Sequence, residues 1–271
     1  MPSPSEITPA QLSRLIGTPD CPIIIDVRID QDFGDDPQLI PTAFRHPFLE
    51  VEQLAATLTD KSVTVYCQKG KKLSQGAAAL LRDHGVRAEI LVGGHFAWRD
   101  ASLPLVPADK IPDLNSRGRT VWVTRHRPKI DRIACPWLIR RFIDPDAQFL
   151  FVAPAEVLDV AEKFNAAPFD IKDVYWSHRG EQCTFDTMIE EFRLDIEALR
   201  QLATIVRGAD TDRLEIAPQS AGLLAASLGL SRMHRDDITQ LDASMGLYDA
   251  LFRWCRDATN ERHTWPMSKG N

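Results

Sequence analysis

The segment Val63-Thr-Val-Tyr-Cys-Gln-Lys-Gly-Lys-Lys72 constrains the fold more than any other stretch of the chain. Its apolar half, Val63 to Cys67, predicts a buried strand, and a short basic loop then leads into a helical pattern from Leu73 to His84. Gly85 follows as a C-cap glycine. The thiol therefore stands at the carboxyl end of a strand, the edge of an open parallel sheet where ligands bind.

Neighbouring patterns place this segment in an α/β domain with a central parallel sheet. Pro22 to Val27 and Ala88 to Val92 predict two further buried strands. Ser5 to Ile16 predicts a short helix, with Thr8 as its N-cap and Pro9 at its first position. Strands that alternate with helices in this way are typical of parallel sheets.

The loop from Cys67 to Lys72 has the composition of an anion-binding cradle around a thiol. Its backbone N–H groups and the helix N-terminus can surround an anion held at the sulfur atom. Lys69, Lys71 and Lys72 add positive charge. We expect these groups to lower the pKa of Cys67 and to favour the nucleophilic thiolate.

From about residue 5 to residue 107, the chain resembles a single-domain rhodanese. The motifs that carry the resemblance are Asp26-Val-Arg28, Ile40-Pro41, the Cys67 loop and Gly93-Gly94-x-x-x-Trp98. The resemblance implies that Cys67 is the catalytic nucleophile, which takes sulfane sulfur as a persulfide and passes it to a thiophilic acceptor. It also implies that Asp26 and Arg28 form a buried pair that supports the loop.

The resemblance assigns substrate binding to the residues that follow the nucleophile: Gln68, Lys69, Gly70, Lys71 and Lys72. The six-residue length of this loop is that of sulfurtransferases, so the implied partner is a small anionic sulfur donor such as thiosulfate. The chain departs from the family at Lys72, where arginine is frequent, and at Gln38-Leu39, where Gly-His is frequent. A lysine supplies charge without a planar bidentate fork, which leaves the choice of donor open.

Size and composition place this segment in a two-domain chain. At about 100–200 residues per domain, 271 residues predict two domains. We expect a rhodanese-like domain over 1–107, a proline-rich linker over 108–120, a second domain over 121–258 and a flexible tail over 259–271.

Five dispersed cysteines and the lack of an export signal favour the cytoplasm. No run is long and apolar enough for a membrane span, and a net charge of −6 argues against general nucleic-acid binding.

The second domain is predicted to be mainly helical, of the α+β class. Strands are expected at Val121 to Thr124 and at Gln148 to Val152. The expected helices are Ala134 to Ile143 with Pro136 in its first turn, Ala155 to Phe164, Thr184 to Phe192, Ile196 to Arg207, Pro218 to Leu230 and Asp236 to Cys255.

A basic segment precedes an acidic body in this domain. Between Arg117 and Arg141 there are eight basic residues and one acid, a balance of +7, whereas Asp144 to Asp257 holds 21 acidic and 11 basic residues, a balance of −10. Such a segment can bind an anion, dock onto the acidic body or contact nucleic acid, and a dispersed charged face is a further alternative. The candidate oxyanion-binding residues are Arg125, Arg127, Lys129 and Arg132.

From about Val121 to Arg256, the chain resembles the C-terminal domain of the ChrB chromate-resistance family. The stretches that carry the resemblance are Thr124 to Asp144, Pro168 to Ile171, His178 to Asp186, Val206 to Thr211, Ala221 to Leu224 and Leu247 to Ala250. The resemblance implies a chromate-responsive regulator or accessory factor, with chromate as a candidate ligand. Longer members carry a different N-terminal region in place of the rhodanese, which weakens the case for DNA-binding regulation.

The second domain also contains a possible metal-binding trio, His178, Cys183 and Asp186, near Glu190 and Glu191. Imidazole, thiolate and carboxylate would suit Zn²⁺. However, the spacing matches no metal-finger signature, and a helix capped by these polar residues is the favoured interpretation, so no cofactor is assigned.

Three single features carry weaker hypotheses. Asp210 and Asp212 are interpreted as turn or cap residues. Cys135, at a helix start among arginines, has a structural interpretation and a less favoured one, in which a lowered pKa gives it a redox or persulfide-accepting role.

Taken together, the residues favour a cytoplasmic sulfurtransferase fused to a chromate-resistance domain. The alternative is an oxyanion-binding sensor in which the rhodanese is ancillary, and a DNA-binding regulator ranks last. The sequence does not predict the oligomeric state.

Overall fold

The computed structural model describes residues 5–261. Most of the tail predicted over 259–271 lies outside the described residues. Over the described part of the chain, none of the helices combines the length and the apolar character needed to cross a lipid bilayer.

The first domain is an α/β fold around a parallel sheet, as predicted. Its strands, together with a short pair outside the sheet, are β1 (Glu6–Ile7), β2 (Ile23–Asp26), β3 (Gln38–Leu39), β4 (Phe44–Arg45), β5 (Ser62–Tyr66), β6 (Arg87–Leu91) and β7 (Val106–Pro107). The main sheet has the order β1-β6-β5-β2-β4, and all of its pairings are parallel. Strands β3 and β7 form the separate antiparallel pair. The strand that ends at the thiol, β5, is thus the central strand of the sheet.

The helices of this domain are α1 (Pro9–Leu15), α2 (Asp30–Asp35), α3 (Lys72–Asp83) and α4 (Gly94–Asp100). Thr8 caps α1 through a reciprocal capping box with Gln11, which confirms the predicted N-cap. The predicted helix was too long at its start, because Glu6 and Ile7 pair with Ile90 and Leu91 as an edge strand instead.

The second domain combines a small parallel sheet with six α-helices among its described residues. Its strands β8 (Val121–Arg125), β9 (Gln148–Val152) and β10 (Ala167–Pro168) have the order β10-β8-β9. The helices are α5 (Asp131–Phe142), α6 (Val157–Phe164), α7 (Thr184–Glu191), α8 (Glu197–Asp210), α9 (Ser220–Met233) and α10 (Asp237–Asp257). Helix α5 begins before the predicted Ala134, so Pro136 lies inside it rather than in its first turn.

One continuous apolar cluster connects the two domains. It contains Leu12 and Trp98 from the first domain together with Phe142 and Phe252 from the second, and all four are buried. At Gly17, where φ is +80°, a Cβ atom would lie 2.4 Å from the Phe142 ring and 2.9 Å from the Phe252 ring. The rings of the second domain therefore pack directly against the backbone of the first.

The segment predicted as a linker contacts both domains. Residues Ala108–Lys110 form a 3₁₀ turn, and the Ala108 N–H donates a 3.0 Å hydrogen bond to the carbonyl of Pro37. Lys110 forms a 2.9 Å ion pair with Glu191 of α7. This part of the linker is therefore fastened at both ends, while the exact domain boundaries stay a prediction.

Candidate functional site

Cys67 lies directly after β5, as the first residue of the loop that leads into α3. Cys67 is 5% exposed, and its Sγ lies 3.3 Å from Oγ of Ser74 in the first turn of α3. The Ser74 hydroxyl group is also within 3.2 Å of the Lys71 carbonyl oxygen. Sequence reasoning did not single out Ser74, although its position one helical turn after the loop makes it a natural partner for the sulfur atom.

The environment lowers the pKa of Cys67. Burial raises it, but hydrogen bonds from the Ser74 hydroxyl group and from the backbone N–H groups of Ser74, Lys71 and Lys69 outweigh that effect. The direction agrees with the sequence-based expectation. The cause differs in part, because these hydrogen bonds rather than the lysine charges are the leading stabilising contributions. The side chains of Lys69, Lys71 and Lys72 are exposed around the loop.

The loop is held in place by the segment that follows β6. The His95 N–H donates to the carbonyl of Cys67 and the Phe96 N–H to the carbonyl of Gln68, both at 3.0 Å. Gly94 has φ +60°, and a Cβ atom there would lie 2.1 Å from the Cys67 carbonyl oxygen. At Gly70, with φ +62°, a Cβ atom would lie 2.5 Å from the Leu91 carbonyl oxygen. A Cβ atom at either position would collide with the facing backbone, so Gly70 and Gly94 both need to be glycine.

Asp26 and Arg28 form the buried pair that the sequence predicts. Both side chains are fully buried, and Nη2 of Arg28 lies 2.7 Å from Oδ2 of Asp26. Arg28 also donates to the carbonyl oxygens of Asp36 and Gln38, at 2.9 and 2.7 Å. The pair thus connects the end of β2 with the residue after α2 and with the start of β3. The pair can influence the thiol only indirectly, through Tyr66. The Arg28 guanidinium group lies 5.9 Å from the centre of the Tyr66 ring, and Tyr66 is the residue before Cys67 in the chain.

The predicted oxyanion-binding residues are mostly engaged with acceptors of the protein itself. Arg127 donates to the carbonyl oxygens of His234, at 3.1 Å, and of Ser231. Arg125 and Arg132 both pair with Oδ2 of Asp170, at 3.2 and 3.3 Å. Lys129 is exposed, and the other three are partly buried. The basic segment therefore docks onto the acidic body, which was one of the alternatives that the sequence left open.

The predicted metal trio does not come together. Cys183 is the N-cap of α7, where its N–H donates a 3.0 Å hydrogen bond to Oδ2 of Asp186. Burial raises the pKa of the Cys183 thiol, and the negative charges of Asp131 and Asp186 raise it further. Oδ1 of Asp186 accepts a 2.7 Å hydrogen bond from Arg207. Cys183 and Asp186 thus serve as a helix cap, as the favoured interpretation predicts.

Glu190 and Glu191, which the sequence places near the trio, lie at the end of α7. Glu191 is held by Tyr175, Arg179 and Lys110, and these contacts lower its pKa to about 2 although burial opposes them. Its carboxylate is thus part of a surface ion-pair network. Glu190 is exposed.

His178 instead faces three carboxylates from other elements. Its Nε2 lies 3.5 Å from Oδ2 of Asp131, 3.4 Å from Oδ1 of Asp170 and 3.3 Å from Oδ2 of Asp210. Hydrogen bonds to Asp131, Asp170 and Asp210 raise the pKa of His178 to about 12, against the effect of burial. Burial raises the pKa of the Asp131 carboxyl group, and the charges of Asp210 and Asp170 add to that rise. The rise at His178, and part of the rise at Asp131, come from the negative charge of the neighbouring carboxylates.

Sequence reasoning missed this cluster in part. Asp131 and Asp170 were not singled out, and Asp210 was interpreted as a turn residue, whereas Asp212 is indeed exposed in a turn. The structure contradicts the lowered pKa that the less favoured hypothesis for Cys135 requires. That thiol is fully buried in α5, and burial together with the charges of Asp131 and Asp170 raises its pKa well above the ordinary value.

Two family models match successive parts of the chain. The model described as rhodanese-like domain matches residues 8–101, and the model described as ChrB, C-terminal domain, matches residues 122–255. Protein ChrB from Cupriavidus metallidurans is 26% identical over 226 residues, which cover 78% of this chain and 68% of that protein. A sulfurtransferase from Allochromatium vinosum is 26% identical over 103 residues, which cover 38% of this chain and 94% of that protein.

Among solved structures, a rhodanese-related protein from Thermoplasma volcanium is similar to part of the chain. It is 24% identical, covers 37% of this chain and 96% of its own, and has a TM-score of 0.33. The matches to families and curated proteins agree with the division of the fold into an α/β part that contains Cys67 and a helix-rich part that contains His178.

Proposed function

Because the chain joins a domain of the rhodanese-like family to one of the ChrB C-terminal family, we propose that it is a sulfurtransferase acting in chromate resistance. The observation that carries the enzymatic part is the Cys67 thiol, whose pKa is lowered by Ser74 and by loop N–H groups at the carboxyl end of β5. The five free cysteines agree with a reducing compartment, so we place the reaction in the cytoplasm.

The proposed reaction is a double displacement at sulfur. The Cys67 thiolate attacks the outer sulfur of thiosulfate, a new S–S bond forms, and sulfite leaves with the electron pair of the broken S–S bond. The exposed Lys69, Lys71 and Lys72 attract the anion, and the loop N–H groups stabilise negative charge on the persulfide. A thiophilic acceptor such as cyanide or a thiol then attacks the outer sulfur and returns the Cys67 thiolate.

The test is the mass of the intact protein after incubation with thiosulfate. We expect the addition of one sulfur atom, its loss after cyanide is added, and no addition in Cys67→Ser. Cys21→Ser, which removes a half-buried thiol of the same domain, is the matched control and should still gain the sulfur. An unmodified wild-type mass, or a modification that survives Cys67→Ser, would overturn the proposal.

The link to chromate is tested in cells that lack the gene. We expect the wild-type chain to restore growth on chromate and Cys67→Ser to fail, with equal amounts of folded protein. Full rescue by Cys67→Ser would show that the rhodanese part is ancillary to resistance.

The alternative function, an oxyanion sensor built on the basic segment, gains little support from the structure. The guanidinium groups of Arg125, Arg127 and Arg132 already face protein acceptors. Calorimetric titration with chromate separates the two functions, because the sensor requires that binding weaken when Arg125 and Arg127 are both changed to alanine.

A further inference from the structure

Four side chains from distant parts of the chain converge in the second domain. Asp131 opens α5, Asp170 follows β10, His178 lies in the loop before α7, and Asp210 is the last residue of α8. One oxygen of each carboxylate lies 3.3–3.5 Å from Nε2 of His178. The donor atoms of Asp131, Asp170 and His178 all lie within 4.8 Å of one another. Three potential ligand atoms therefore lie together, and Asp210 adjoins them through its contact with His178.

Neighbouring groups orient these carboxylates. Oδ2 of Asp170 is held by Arg125 and Arg132, which leaves Oδ1 for the cluster. The Thr184 hydroxyl group donates to that Oδ1 at 2.9 Å, and the Thr184 N–H donates to Oδ2 of Asp131 at 2.6 Å. Outer contacts of this kind are what fixes metal ligands in their binding geometry.

One atom of the cluster is left without a partner. Oδ1 of Asp131 is buried and has no hydrogen-bond partner within residues 5–261, and the residue as a whole is 0% exposed. A buried carboxylate oxygen that lacks a donor costs stability, and a neutral hydrogen bond would only partly compensate for a charged group. A bound cation would neutralise this carboxylate directly.

We propose that Asp131, Asp170 and His178 bind a divalent transition-metal ion, with the Asp210 carboxylate beside it. With metal–ligand bonds of about 2.0–2.2 Å, the ligand atoms of a tetrahedral site lie about 3.3–3.6 Å apart, which agrees with the distances of 3.5 and 3.4 Å from Nε2 of His178 to Asp131 and Asp170. Two carboxylate oxygens and one imidazole nitrogen select an ion that accepts both types, such as Mn²⁺, Fe²⁺ or Zn²⁺, over Ca²⁺ and Mg²⁺.

The cluster is accessible from solvent on one side. The side chain of His178 is 42% exposed, whereas those of Asp131 and Asp170 are 1% and 8% exposed. An ion can enter past the imidazole group, and a water or substrate oxygen can occupy a further coordination position there. The site is separate from the Cys67 thiol chemistry, so it adds a second centre to the proposed sulfurtransferase.

The experiment measures metal content and affinity in the full chain. Protein stripped with a chelator is titrated with Mn²⁺ and Zn²⁺ by calorimetry, and the bound metal is counted by elemental analysis. We expect one ion per chain. Asp131→Asn and His178→Ala should each weaken binding by at least about 100-fold, since changes to outer contacts alone cost 10–100-fold. Asp212→Asn removes an exposed carboxylate near the cluster and should bind like the wild type.

Co²⁺ provides a second readout that does not depend on stability. Its visible absorption bands should appear at one equivalent in the wild type and in Asp212→Asn, and should be lost in His178→Ala. Since His178 is partly exposed, this variant is expected to keep its fold, which circular dichroism checks. Binding below one ion per five chains, or equal affinity in wild type and His178→Ala, would overturn the proposal.

Discussion

The Ser74 hydroxyl group is the side chain that stabilises the Cys67 thiolate, at an Oγ–Sγ distance of 3.3 Å. In Ser74→Ala, the Cys67 thiolate loses this hydrogen bond but stays buried, so the pKa of Cys67 should rise. A hydrogen bond to a charged group contributes about 1.5–3 kcal/mol, so alkylation by iodoacetamide at neutral pH should slow by about tenfold or more. The rate–pH curve should move to higher pH.

Peptide mapping of the alkylated protein provides the control for this prediction. Ser62→Ala, at the exposed start of β5, should leave the curve of Cys67 unchanged. Cys135 and Cys183, whose thiols are buried and have raised pKa values, should stay unmodified in the folded protein. A curve that is the same in Ser74→Ala and the wild type would contradict the assigned role of the hydroxyl group.

The Asp26–Arg28 pair should contribute far more to stability than an exposed pair. Asp26→Asn leaves the fully buried Arg28 without its counter-charge, which costs about 3–5 kcal/mol. Asp100→Asn, which breaks the exposed pair with Arg99, should cost less than about 1 kcal/mol. Urea denaturation curves of both variants measure the difference, and equal midpoints would refute this argument.

At the scale of single residues, the site residues that could be predicted from the sequence are those that belong to one local motif. Cys67 and its loop are contiguous, and Asp26 and Arg28 are two positions apart on one strand end, so local patterns suffice. The cluster at His178 could not be found in this way, because its carboxylates come from the starts and ends of separate elements. The packing of α5 against α8 brings Asp131 and Asp210 together, and Asp170 reaches them from the segment after β10.

The contact between the Cys67 loop and the start of α4 requires a backbone without Cβ atoms. In Gly94→Ala, the new methyl group would meet the Cys67 carbonyl oxygen at 2.1 Å and Gly70 N at 2.4 Å, with φ at +60°. We expect loss of sulfur transfer and a lower melting temperature. Gly76→Ala in the middle of α3, where nothing lies within 4 Å, should instead gain up to about 1 kcal/mol.

Both glycine variants are measured by persulfide formation and thermal unfolding. Because Gly76 is exposed on the helix that begins beside the thiol, it controls for substitution of glycine near the site. Normal sulfur transfer in Gly94→Ala would mean that the loop does not depend on this contact.

At the scale of elements, hydrophobic pattern predicted the long strands and helices, and tertiary contacts decided the short ones. The strands β2, β5 and β6 carry continuous apolar runs and were found within about one residue. Strand β1 has two residues and exists because β6 offers it an edge to pair with. The small pair β3 and β7 depends likewise on a contact distant in sequence, which no local pattern reports.

At the scale of the whole molecule, the two domains are packed as one body. Besides the shared apolar cluster, the Thr42 N–H donates a 2.9 Å hydrogen bond to the carbonyl of Phe142, and Arg256 donates to the carbonyl of Arg14 at 3.0 Å. The sequence predicts the domain boundary from a loss of periodicity, and that boundary stays a prediction. The close packing of the two domains could not be predicted, because the apolar residues that form it also satisfy the pattern of their own helices.

Phe252 tests whether this packing couples the stabilities of the domains. It is 2% exposed, its ring lies 5.6 Å from that of Phe142, and it abuts Gly17 of the first domain. Phe252→Ala should cost about 3–5 kcal/mol, and hydrogen exchange should accelerate in β2 of the first domain as well as in α10. Phe164→Ala, at a ring that is 63% exposed, should change neither. Faster exchange confined to the second domain would show instead that the two domains unfold independently, because a shared core must transmit the loss to both.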